Sequence, residues 1–120
     1  MKISMPIHLI SEANNTEHWT VKHRRKKQIK IIMRSAFNRR KKPELPVKII
    51  FTRVAPRSLD IDNLWHSMKT PIDTACDWLI PGLKPGHADS DKRIEIACKQ
   101  RKGEVRQYSL EVEFKPLGTN

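Results

Sequence analysis

The chain has 120 residues, with 24 Lys and Arg against 13 Asp and Glu and a formal net charge of +11. That length suits one domain over residues 1–120 with a core that folds without disulfide or metal staples, and the charge points to a polyanionic partner, nucleic acid before membrane. No apolar run approaches the ~20 residues that cross a bilayer, the opening MKISMPIHLI lacks the apolar core and cleavage site of a signal peptide, and two cysteines without a CxxC spacing fit a reducing, cytoplasmic setting.

In chain order, ISMPIHLI alternates loosely and predicts an opening strand. ANNTEHW leads into a helix with Asn15 or Thr16 as N-cap. From about Glu17 to Asn38, Ile29, Ile32, Met33, Ala36 and Phe37 recur at helical spacing. KKPELP ends that helix, because each proline pushes the residue before it out of helical geometry. VKIIFTRV, rich in β-branched residues, predicts a strand. A second helix begins near Asp62 with Leu64, Met68, Ile72, Ala75 and Leu79 as its apolar stripe, and Pro71 inside it predicts a kink. IPGLKPGHADSD is a loop. RIEIACKQ and VRQYSLEVEF then alternate around RKGE and predict a β-hairpin. The order β-α-β-α-β-β describes an α+β fold, a small mixed sheet with two helices packed on one face.

All six aspartates lie between residues 60 and 91, where only Lys69 and Lys84 are basic. At 100° per residue, Asp62, His66, Lys69 and Asp73 share one polar flank of the second helix, and Asp60 reaches the same end. Asp89 and Asp91 precede a strand, and a strand end beside a helix start is expected to bring the two pairs together. Converging carboxylates in a basic protein suit a hard divalent cation such as Mg2+, which accepts a few Asp side chains plus a substrate phosphate. The same acids also have an ordinary structural use. Asp60 and Asp62 fit a helix cap and first turn, and Asp89 and Asp91 fit Asx turns. A calcium loop is excluded, since the sixth and twelfth places counted from Asp89 hold Ile94 and Gln100 instead of Gly and Glu.

The ordered set LDIDNL, then Lys69 and Asp73 in KTPID, then ADSDKRIEI resembles the RusA-type Holliday-junction resolvases, particularly their phage-borne members, over roughly residues 45 to 114. The resemblance implies a homodimer in a bacterial or phage-infected cytoplasm that needs Mg2+ or Mn2+ and resolves four-way DNA junctions by paired, symmetric nicks. Carried over residue by residue, it makes Asp60, Asp62 and Asp91 the metal ligands, with Asp89 as a neighbour that replaces or assists Asp91. Lys69 takes the role of the catalytic lysine. The position four residues after the second aspartate, where some members carry that lysine, holds His66, and Ser90 stands where relatives often have another acid.

Between His18 and Pro43 eleven Lys or Arg residues occur with no acid. Lys22, Arg24, Arg25, Lys26, Lys27, Lys30, Arg39 and Arg40 form the densest runs and predict a phosphate-binding surface, although a solvated helix face has the same pattern. Trp65 adjoins the aspartates as a stacking face or a packing residue. The histidines lack zinc-ligand spacing, and neither cysteine has a base nearby to make it a nucleophile. The leading reading is a metal-dependent, structure-selective endonuclease acting on branched DNA. The alternatives are a non-catalytic basic DNA-binding or regulatory protein and an RNA-binding module.

Overall fold

The computed structural model describes residues 1–11, 18–82 and 91–117. Its elements are β1 (Lys2–Met5), α1 (Trp19–Asn38), β2 (Val47–Ala55), α2 (Ile61–Leu79), β3 (Ile94–Lys102) and β4 (Ser109–Pro116). The fold is α+β, and the four strands form one mixed sheet in the order β1-β4-β2-β3. Among the described residues no helix is long and apolar enough to cross a membrane.

The alternation of β2 places Val47, Ile49, Phe51, Arg53 and Ala55 on one face, all buried. That face meets the stripes of both helices, Ile29, Met33 and Phe37 of α1 and Leu64, Met68, Ile72, Ala75 and Leu79 of α2, in one apolar cluster. β1 is short because Pro6 cannot continue the ladder, yet Ile7 and Leu9 remain buried and carry the alternation past it. Pro71 is buried within α2, which runs through it as a single element.

Two sequence expectations need correction. β3 and β4 form no hairpin. β3 pairs with β2 in parallel, from Val47↔Ile94 to Ala55↔Lys102, while β4 pairs antiparallel with β2 on its other side. Alternation fixes which face a strand buries and leaves its neighbour open. The chain between β3 and β4 therefore passes over the end of β2, where the Gly103 amide donates to the Ala55 carbonyl at 2.8 Å. The N-cap of α1 is His18, whose Nδ1 accepts from the Thr20 amide at 3.2 Å; Asn15 and Thr16 lie outside the described residues.

The two helices point the same way. Residues 25 and 26 of α1 face residues 66 to 70 of α2 across a shared cleft, and Phe37 near the end of α1 stacks on Trp78 near the end of α2, with ring centroids 4.9 Å apart. Both helix N-termini thus lie at one end of the molecule, beside the end of β2. The helix C-termini lie at the other, beside the start of β3.

Candidate nucleic-acid interface

The aspartates divide between these two ends. β2 ends at Ala55, and Asp60 follows as the N-cap of α2. Asp91 precedes β3, whose first residue Ile94 pairs with Val47 at the start of β2. A parallel β-α-β crossover must return to the end at which it began. Asp60 and Asp62 therefore stand a whole helix from Asp91, ~27 Å for the 19 residues of α2. The expected meeting of Asp60 and Asp62 with Asp91 does not occur within one chain. Among the described residues no group of three or more His, Cys, Asp or Glu is placed to hold a metal ion. Asp89 lies outside the described residues.

The three predicted ligands that lie within the described residues differ in their surroundings. Asp60 caps α2, with Oδ1 accepting from the Asn63 amide at 2.8 Å and Oδ2 from Asn63 Nδ2 at 3.0 Å. Asn63 Oδ1 in turn accepts from the Ser11 hydroxyl at 2.6 Å, tying the segment after β1 to this helix start. Asp62, in the first turn of α2, is exposed and joins no ion pair among the described residues. Asp91 is clasped by Arg93. Oδ1 accepts from the Arg93 backbone amide at 2.9 Å and from its Nε at 3.0 Å, and Oδ2 from Nη2 at 2.9 Å. These bonds, foremost those of the guanidinium, hold the Asp91 carboxyl down to about 2.

The predicted cations also divide. Lys22, Arg24, Arg25, Lys26 and Lys27 lie in the half of α1 nearer the Asp60 end, and Lys30 lies just past its middle. Arg39, the C-cap, and Arg40 stand at the opposite end with Asp91. Arg24, Lys26, Lys27 and Lys30 are exposed, whereas Lys22 and Arg25 are half-buried. Arg25 apart, none of the α1 cations joins an ion pair among the described residues. On α2, His66 and Lys69 both line the cleft that faces Arg25 and Lys26. The sequence expectation that they share a flank agrees with that placement.

Arg53 and Tyr108, which the sequence reading passed over, lie at the end of the molecule that holds Asp60. Arg53 is 6% exposed, and its Nε donates to the Leu9 carbonyl at 3.0 Å and Nη1 to the Arg57 carbonyl at 2.8 Å. A charge at a core-facing position of β2 was the available signal. His8 stacks on Tyr108 with centroids 3.7 Å apart. Burial first, then the positive fields of Arg53 and Arg25, lower the His8 pKa from its ordinary value. Trp65 is 42% exposed beside Asp62, while Trp78 packs between Phe37 and Phe114. Cys76 is buried, and burial pushes the Cys98 thiol up to about 12, which denies it nucleophilic character at neutral pH.

No protein-family model matches the chain, and no curated protein matches it significantly.

Proposed function

We propose that the chain is the subunit of a metal-dependent, structure-selective endonuclease of the RusA type, acting on branched DNA and above all on four-way junctions in a bacterial or phage-infected cytoplasm. The observation that carries this reading is an adjacency. Two exposed carboxylates, Asp60 and Asp62, begin a helix packed alongside one that bears seven Lys or Arg and no acid. Carboxylates alone would repel a phosphate backbone, and the neighbouring cations reverse that field. A purely structural helix cap needs no such neighbour.

The described residues of one chain do not bring the ligand set together, because Asp91 lies at the far end and is engaged by Arg93. A second copy with its long axis reversed would lay its Asp91 end against Asp60 and Asp62. A two-fold pair would then carry two such sites, matching a junction cut in two strands. Mg2+ or Mn2+ held there would supply Lewis acidity and an activated water. The chain's own contribution is to bind and orient the backbone through α1, with Lys69 and His66 facing it from α2.

The test incubates the full chain with a labelled four-way junction in Mg2+ and in Mn2+, with matched duplex and EDTA controls. Paired, metal-dependent nicks confined to the junction are expected. Asp62→Asn should lower cleavage by about 100-fold, the scale lost when a metal site is disturbed, with junction binding retained. The second reading, a non-catalytic basic DNA-binding protein, is favoured by the structural employment of Asp60 as a cap and of Asp91 with Arg93. Tight junction binding with no cleavage in either metal would establish it in place of the nuclease.

A further inference from the structure

The cations of α1 fall into two groups, and the smaller one turns inward. A cleft of about 210 Å3 separates the N-terminal halves of α1 and α2. Arg25 and Lys26 line it from α1, and His66, Lys69 and Thr70 from α2. Leu9, Ile10 and Ile29 give it apolar walls, and among the described residues no carboxylate lines it. Ile29 explains the inward turn. It is a buried core residue, and Arg25, one helical turn before it, shares its face.

From this arrangement we infer that the cleft is a seat for one phosphate group of a nucleic-acid backbone. Arginine offers a planar fork of donors matched to two phosphate oxygens, lysine adds a compact charge, and a threonine hydroxyl can donate to a third. Lys26 and Lys69 face one another's helix without an ion-pair partner among the described residues. Like charges brought together over apolar walls repel one another and focus their field on an entering anion. The volume is several times the ~30 Å3 share of a water molecule, room for one tetrahedral phosphate with a few waters.

The seat deepens the nuclease reading and rests on it for its purpose. His66 follows Asp62 by four residues, so the seated phosphate lies about one turn along α2 from that carboxylate. It would fix the register of the strand, while the outward cations Arg24, Lys27 and Lys30 attract DNA without fixing its position.

The experiment titrates inorganic phosphate into the full-length, isotope-labelled protein at constant ionic strength, reading backbone and histidine side-chain resonances by NMR. Saturable, one-site shifts at residues 25–26 and 66–70 are expected. Arg25→Gln and Lys69→Gln should each weaken phosphate binding by about tenfold, while Lys99→Gln, at an exposed lysine of β3 paired with Thr52 on the sheet face away from the helices, leaves it within about twofold. A short single-stranded DNA should displace the phosphate from the same resonances. Non-saturating drift, or equal effects of all three variants, would overturn the seat. Phosphate binding that DNA fails to displace would overturn its assignment to a nucleic-acid backbone. Circular dichroism confirms that each variant is folded. These readouts do not involve cleavage, so loss of the nuclease reading through an unaffected Asp62→Asn would leave the phosphate titration to judge the seat by itself.

Discussion

Three aspartates of one chemistry hold three different positions at the residue scale. Asp60 spends both oxygens on Asn63, Asp62 offers its carboxylate to solvent, and Asp91 is gripped by a guanidinium fork. Arg93 is thus the group to displace before Asp91 can serve a metal, and it is also the main cause of that carboxyl's low pKa. Replacing Arg93 with Gln should move the Asp91 pKa from about 2 part of the way toward the ordinary aspartate value, with the remaining backbone hydrogen bond keeping it below. The linkage has a definite sign. A carboxyl depressed in the folded state adds stability that is present above its unfolded pKa and disappears as pH falls through about 2. Arg93→Gln should therefore flatten the acid limb of the stability curve and leave the neutral region nearly unchanged. A carbon-detected carboxyl titration checks the first statement and acid unfolding the second. An Asp91 pKa that stays put in the variant would remove Arg93 as its cause.

At the scale of elements, the passage from β3 to β4 sets how the sheet is threaded. Six residues, Gly103–Tyr108, cross the end of β2, so the two strands flank it instead of pairing. Gly103 sits at the tightest point. A Cβ there would meet Val54 Cγ1 at 3.0 Å and the Gln107 carbonyl at 3.1 Å, the first a buried side chain and the second backbone. Gly103→Ala is expected to destabilise by about 1–2 kcal/mol, the usual cost of crowding a packed site. Urea unfolding measures it, and an unchanged midpoint would mean the crossing loop yields freely.

This loop also marks the limit of what was legible. The apolar period of α2 and the β-branched run of β2 identified those elements within a residue or two, because each buries one face and the face is written in the spacing. Strand adjacency depends on long-range closure, which no local period encodes. For that reason the hairpin expectation failed, although RKGE and its flanks alternate well. The same gap explains the site. D-x-D-N-L revealed a capped helix start, and the acid-free run revealed α1. Yet only the parallel pairing of β2 with β3 shows that Asp91 belongs to the opposite end. The cleft was legible in halves, its α2 flank from helical geometry, while the turning of Arg25 toward it needed the packing of Ile29.

For the molecule as a whole, polarity is the organising fact. One end carries Asp60, Asp62, the cleft and most α1 cations; the other carries Asp91, Arg39 and Arg40. A nuclease that needs all three carboxylates must assemble them between chains, and this makes a prediction that no single-chain site shares. Asp62→Asn and Asp91→Asn proteins should each be inactive alone. When they are mixed and allowed to exchange subunits, a mixed dimer pairs one doubly defective site with one whose Asp60, Asp62 and Asp91 are all intact. With free exchange at equal amounts, half the dimers are mixed and each has one intact site, so about a quarter of the wild-type sites return. Recovered nicks should fall on one strand per junction instead of two, a pattern that strand-specific labels resolve. If the ligands came from a single chain, no mixture would restore an intact set and cleavage would stay absent at every ratio. Recovery of one-strand nicking would place the active centre between two copies; a flat mixing curve, given active wild-type protein and demonstrated exchange, would exclude that arrangement.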